Sequence, residues 1–260
     1  FSSAISLLYS RPAYTSDMAP VLTAVTDHVH LARTPLVNWT IVTDDSGVLL
    51  IDAGFPGSRD DVLTSLRDLG LAPGDLRAIL LTHAHIDHLG TAIWFAKTHG
   101  TPVYCHAGEV GHAKREYLQQ VSPAALLTQA WRPHWLAWSL EVARRGGLVR
   151  DGIPSTRALT ADIAAGLPGR PEPIPTPGHT SGHCSYLVDG ALVTGDALIT
   201  GHPLSRRRGP QLLPSMFNHS DADCRRSLSA LSATGAGTLI PGHGDLWVGP
   251  IAEAVRQATA

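Results

Sequence analysis

Four potential metal ligands fall within six residues at His83-Ala84-His85-Ile86-Asp87-His88. Borderline cations such as zinc take imidazole nitrogen and carboxylate oxygen at roughly 2.0–2.2 Å, so side chains of these types must converge to be useful. The apolar run at residues 78–81 leads straight into the motif, so a strand end fixes one side of it and a helix start the other. Two histidines at i, i+2 leaving a strand can chelate one ion while Asp87 and His88 turn toward a second. A lone H-x-H is a weak signal; H-x-H-x-D-H after an apolar strand is far more specific. Three further candidates sit in turns: His179 in Pro177-Gly178-His179-Thr180, Asp196 in Thr194-Gly195-Asp196, and His243 in Pro241-Gly242-His243-Gly244. Each alone reads as an ordinary polar turn residue, but together they supply the donors that two ions need.

The elements that must position these residues are readable as alternating strands and helices. Residues 21–25, 28–32 and 39–43 read as an opening strand meander, and residues 48–51 as an apolar strand ending at Asp52-Ala53-Gly54. A helix is expected over residues 60–69, stopped by Gly70, a second over residues 90–99, stopped by Gly100, and a strand over residues 102–105. Residues 184–188 and 191–194 flank Asp189-Gly190, a two-residue hairpin signal. A helix at residues 221–231, a strand at 238–240 and a terminal helix at 251–257 follow. Strands then helices, twice over and without a linker, predict one α+β domain spanning residues 1–260: two mixed β-sheets with helices outside. Residues 111–148 read as a helical insertion, with Trp131, Trp135 and Trp138 spaced to share a face. That face either packs the insertion against the body or forms an apolar lid over a substrate site.

Composition narrows the class. A formal charge of −2 gives no basic excess for nucleic acid and no polybasic run for a membrane surface. No apolar run approaches the roughly 18 residues that a membrane span requires. The expected partner is therefore a small-molecule substrate, and nothing in the sequence excludes a homodimer. Fourteen histidines point to metal or proton chemistry. Cys105, Cys184 and Cys224, odd in number and widely spaced, suit reduced thiols and predict a cytoplasmic protein. Residues 1–8 are mildly apolar with no basic residue before them, and the chain does not start with Met. Arg206-Arg207-Arg208 reads either as an exposed loop or as a contact for an anionic substrate group.

The order Asp52, His83-x-His85-x-Asp87-His88, His179, Asp196, His243 resembles the metallo-β-lactamase-fold hydrolase superfamily over nearly the whole chain. The resemblance implies a four-layer αβ/βα sandwich with two divalent metal ions at one edge of the sheets, zinc first, with iron or manganese as the other candidates. It implies that His83, His85 and His179 hold one ion, that Asp87, His88 and His243 hold the other, and that Asp196 bridges them. Asp52 is similar to an orienting partner behind the ligands. A hydroxide shared by the metals would attack an ester, lactone or thioester, with Asp87 or a metal-bound water protonating the leaving group. No G-x-S-x-G elbow competes with that role. True metallo-β-lactamases lack an aspartate at the place of Asp196, and glyoxalase II members add a C-terminal helical domain for which the stretch after His243 is short. Acyl-homoserine lactonases place a tyrosine where this chain has Ile199; Tyr104 and Tyr117 are the candidate substitutes. β-Lactam hydrolysis, phosphodiester hydrolysis, and a mono-iron persulfide dioxygenase using His85, His179 and Asp196 stand as alternatives.

Overall fold

The computed structural model describes residues 19–260, so the apolar start at residues 1–8 lies outside the described residues. Seven strands form the first sheet in spatial order: β1 (Val21–Ala24), β2 (Val29–Arg33), β3 (Asn38–Asp44), β4 (Gly47–Ile51), β5 (Leu76–Leu80), β6 (Val103–Cys105) and β7 (Arg157–Ala158). The first four run antiparallel, and β4 through β7 are parallel. Parallel neighbours need crossovers, and α1 (Arg59–Asp68) and α2 (Ile86–His99) supply the first two. The second sheet holds β8 (Glu172–Pro175), β9 (Cys184–Val188), β10 (Ala191–Gly195), β11 (Thr238–Pro241) and β12 (Trp247–Val248), in the order β12-β11-β10-β9-β8. Only β10 and β11 pair in parallel there, with the helix α7 (Asp221–Ala233) in the crossover between them. A last helix, α8 (Ile251–Thr259), packs beside α7.

The period-2 alternation of strand side chains divides the core into layers. Leu49 and Ile51 of β4 point, with Ala78 and Leu80 of β5, toward Tyr186, Val188 and Val193 of the facing sheet. Their neighbours Val48, Leu50 and Ile79 point the other way, onto Val62 and Leu66 of α1 and Leu89 and Phe95 of α2. Leu192 and Leu239 meet Leu228, Leu231 and Ile251 on the far side. The order is helix, sheet, sheet, helix, the expected αβ/βα sandwich. A strand buried on both faces must be apolar throughout, which is why residues 48–51 carry no alternation.

Between β6 and β7 the chain makes α3 (Val110–Ala113), α4 (Pro123–Leu127) and α5 (Pro133–Arg144); the short α6 (Ala161–Ala165) follows β7. The segment 111–148 is thus helical in pieces rather than as one pair. Trp131 does not share a face with Trp135 and Trp138: Pro133 opens α5 at its first turn, so Trp131 lies before the helix and is exposed, while the other two are buried. Trp135 and Trp138 pack with Leu204, Phe217 and Leu126 in a small core of their own. The segment is pinned at its base, where Ile153 N–H donates to Ala113 O (2.9 Å) and Gly57 N–H to Arg145 O (2.9 Å). Three edge strands escape the sequence reading. β7 and β12 have two residues each, and β8 contains Pro173 and Pro175, which only an edge tolerates. Helix α2 starts four residues earlier than expected, because His85 is extended and serves as its N-cap.

Candidate metal centre

The parallel pairs bring the chemistry to one edge. Asp52 follows β4, the His83–His88 motif follows β5, Asp196 follows β10 and His243 follows β11, all at the C-terminal ends of parallel strands. His179 lies in the turn between β8 and β9, tied down by His219 N–H to its carbonyl (3.0 Å). The structure brings all seven predicted ligand residues together. Nitrogen and oxygen atoms of His83, His85 and His179, of His83, His88 and Asp196, and of Asp87, His88 and His243 form three overlapping groups, each within 4.8 Å. Asp196 Oδ2 is 3.4 Å from His179 Nε2 and 3.3 Å from His243 Nε2, and its Oδ1 is 3.6 Å from His88 Nε2. Asp87 Oδ2 stands 3.5 Å from His243 Nε2 and 3.8 Å from His88 Nε2.

Each imidazole is oriented from behind. Asp52, in the left-handed region at φ 61°, accepts from Thr82 N–H (2.8 Å), Thr82 Oγ1–H (2.7 Å) and His88 Nδ1–H (2.8 Å). A non-glycine residue held there marks a constrained position. With its proton given to Asp52, the Thr82 hydroxyl accepts from His83 Nδ1–H (3.0 Å). His179 Nδ1–H donates to Asn218 Oδ1 (3.2 Å), His243 Nδ1–H to Leu36 O (2.6 Å) and His85 Nε2–H to Gln119 O. The tautomers of His83, His85 and His179 follow: each of these rings spends its proton outward and turns a bare nitrogen inward, and His88 and His243 would do so once a cation displaced their inward protons.

This inward face is unsatisfied among the described residues. His83 Nε2, His88 Nε2 and Asp196 Oδ1 are buried without hydrogen-bond partners, and His179 Nε2 lies 2.9 Å from His85 Nδ1 with no second proton to share. Buried polar atoms are rarely left so, because each costs about 1–3 kcal/mol. A cation among them removes the cost, so the donor set fits metal ions. Gly242 keeps the space open: a Cβ there would fall 2.3 Å from Asp196 Oδ1 and 2.8 Å from His88 Cε1.

Electrostatics divide the ligand set: three rings are held neutral, while the carboxylates raise His88 and His243, whose inward protons a cation would have to displace. Burial, reinforced by neighbouring imidazoles, drives His83 and His179 well below the usual histidine range and His85 to about 4. These rings are therefore neutral, the form that binds metal. For His88, burial opposes the charge, but Asp52, Asp196 and Asp87 outweigh it and push the ring up to about 10. Burial would raise Asp196, yet His243 and His88 beside it hold it well below the carboxylate range. The carboxylates thus concentrate negative charge where a divalent ion would sit.

The cluster floors a cleft of about 320 Å³. Phe55, Leu126, Leu127, Trp138, Val142 and Leu148 are among its walls, most of them from the 110–153 segment. Trp138 touches His202 (ring centroids 5.8 Å apart), which in turn meets His243 (5.1 Å), so one aromatic chain links wall to floor. Tyr104 and Tyr117 do not line the cleft: the Tyr104 hydroxyl accepts from Arg157 (2.8 Å) and that of Tyr117 donates to Gly108 O (2.9 Å). Arg206, Arg207 and Arg208 are exposed and also lie outside the lining. His183 has a structural place, accepting from Asp196 N–H (3.1 Å) and donating to Thr176 Oγ1 (2.8 Å). Sequence reasoning missed Glu109, Gln119, Asn218 and Asn38. The last donates to Pro241 O and Gly244 O (both 2.9 Å) across the His243 turn.

The chain matches the family model described as the metallo-beta-lactamase superfamily over residues 33–243. It is 29% identical to the probable metallo-hydrolase YflN of Bacillus subtilis over 217 residues, 75% of each chain. It is 32% identical over 146 residues to the hydroxyacylglutathione hydrolase of Alkalilimnicola ehrlichii, covering 56% of this chain and 41% of that one. Among solved structures, Rm3 metallo-beta-lactamase superposes with a TM-score of 0.65 at 18% identity, covering 95% and 93% of the two chains, a likeness of fold.

Proposed function

We propose that this chain, which belongs to the metallo-beta-lactamase superfamily and is similar to probable metallo-hydrolases, is a metal-dependent hydrolase that cleaves an ester, lactone or thioester carrying an apolar tail. The observation that carries this reading is the join of a histidine–carboxylate floor to an apolar wall in one cleft. Small-molecule sites have this form, with apolar walls and a few convergent polar groups. The thioester branch draws further support from the likeness to a hydroxyacylglutathione hydrolase. His83, His85 and His179 would hold one ion and Asp87, His88 and His243 the other, with Asp196 between them; zinc suits this mixture of nitrogen and oxygen donors. When bound, two divalent ions make a nucleophile available from water near neutral pH and offset the negative charge that develops at the scissile carbonyl.

The chain's own residues do the rest. Thr82, Asp52, Asn218, Gln119 and Leu36 O fix the imidazoles, so little reorganisation remains when substrate arrives. Asp87, the most exposed of the ligand carboxylates, faces the cleft and can carry a proton toward the leaving group. Leu126, Leu127 and Trp138 take the tail. Burying four methylenes there contributes on the order of 3 kcal/mol, at about 0.8 each.

Two measurements test the reading. Protein purified without chelator should contain two equivalents of metal per chain by elemental analysis, and one equivalent of iron instead would move it to the dioxygenase class. Specificity constants over acetyl to decanoyl esters should rise until the cleft is full. A flat series, or faster turnover of a cephalosporin or a phosphodiester, overturns the ester assignment.

A further inference from the structure

Glu109 is fully buried in the short helical turn before α3, some distance along the chain from any residue of the centre. Its carboxylate accepts four hydrogen bonds. Oε1 takes Ala84 N–H (2.8 Å) and His112 Nδ1–H (2.7 Å), while Oε2 takes Thr180 Oγ1–H (2.8 Å) and Gly182 N–H (3.1 Å). Ala84 stands between His83 and His85, and Thr180 follows His179. One carboxylate therefore cross-links the two loops that deliver these three imidazoles. A further route runs through His112. Its Nε2 accepts from Gln119 N–H (3.4 Å), and Gln119 O accepts the outward proton of His85. The Gln119 side chain closes the loop by accepting from Ser181 N–H (2.8 Å). The approach is close enough to need glycine at 182, where a Cβ would fall 2.3 Å from Glu109 N.

Glu109 itself accepts no hydrogen bond from the other half of the centre, which meets His83 through Thr82 and Asp52. His88 is held by Asp52, and His243 by Leu36 O and the Asn38 bridge. We infer that Glu109 is a positioning residue for one half of the centre alone, setting the metal affinity of the His83–His85–His179 group and leaving that of the Asp87–His88–His243 group unchanged. The inference rests on the reading of the cluster as a two-ion site.

Glu109→Gln keeps the volume but replaces one acceptor oxygen with a donor, so the bond from at least one backbone N–H, that of Ala84 or of Gly182, is lost. Zinc titration against a chromophoric chelator resolves the two equivalents without any assay of turnover. One equivalent should weaken on the order of 10- to 100-fold, the usual cost of removing a partner behind a ligand, while the other stays within about threefold. Thr180→Val removes a single bond and should weaken the same equivalent by less; it answers the question if the Gln variant does not fold. Equal weakening of both equivalents, or of neither, overturns the inference. Wild-type protein that binds fewer than two zinc ions overturns the two-ion reading instead.

Discussion

At the floor of the cleft every imidazole is fully or nearly buried and held by a hydrogen bond from behind, and the turns that carry them follow strands hydrogen-bonded into the two sheets. In the wall, Leu127 and Leu148 line the same cleft while 72% and 62% exposed, and α4 is a helix of five residues. The floor is over-determined; the wall rests on a few aromatic contacts and the ties at its base. Fixed geometry serves bond cleavage, in which an ångström matters. A loosely backed apolar wall serves recognition, where each methylene adds a modest and transferable increment. If this contrast is right, lesions in the floor abolish turnover on all substrates, and lesions in the wall re-rank substrates.

The sharpest break is Asp87→Ala. Turnover should fall by two to three orders of magnitude or more, while the far-UV circular dichroism stays native, because the side chain is partly exposed and outside the apolar cores. A near-normal kcat would show that Asp87 takes no part in the chemistry. Trp138→Ala comes next, removing a wall residue that packs on Phe217 and His202. Decanoyl substrates should lose about 10- to 100-fold in kcat/KM, the range of a 1–3 kcal/mol pocket change, and acetyl substrates about threefold at most. Equal losses on both would mean that the tryptophan supports the floor. The mildest is Arg145→Ala. Its guanidinium, steadied by Glu141 of α5 (3.2 Å), ties that helix to Asp61 (2.7 Å) and Gly57 O (3.3 Å) in a half-buried setting. Losing these bonds should cost about 1 kcal/mol and lower Tm by roughly 2–4 °C. Faster proteolysis confined to residues 114–152 would locate the loosening in the wall, and cleavage elsewhere would contradict it.

The floor was far more legible in the sequence than the wall. His83, His85, Asp87 and His88 crowd one motif, and His179, Asp196 and His243 each follow a glycine in a turn, the last two directly after an apolar run, so short-range pattern finds them. Glu109 escaped because its partners Ala84, His112, Thr180 and Gly182 belong to three separate stretches; in sequence His106-Ala107-Gly108-Glu109 is one more polar turn. The layered sandwich could be read from the apolar strands, whereas β8 could not, since Pro173 and Pro175 are poor strand formers that only an edge accommodates. Trp131 was misplaced because spacing alone ignores where Pro133 starts a helix.

The bond between Ile153 N and Ala113 O has a consequence for how such a chain can diversify. A segment whose two ends meet at one backbone hydrogen bond, and whose other ties are few, can be exchanged without moving the strands on either side. Closing a longer loop between fixed ends is cheap, about 0.6 kcal/mol for each doubling of its length. Residues 120–152 transplanted from a relative should therefore confer the donor's substrate range on this chain's floor, provided that Gln119 stays to hold His85 and Ser181. The anchor pair and Gln119, more than the sequence beyond them, are what selection must keep.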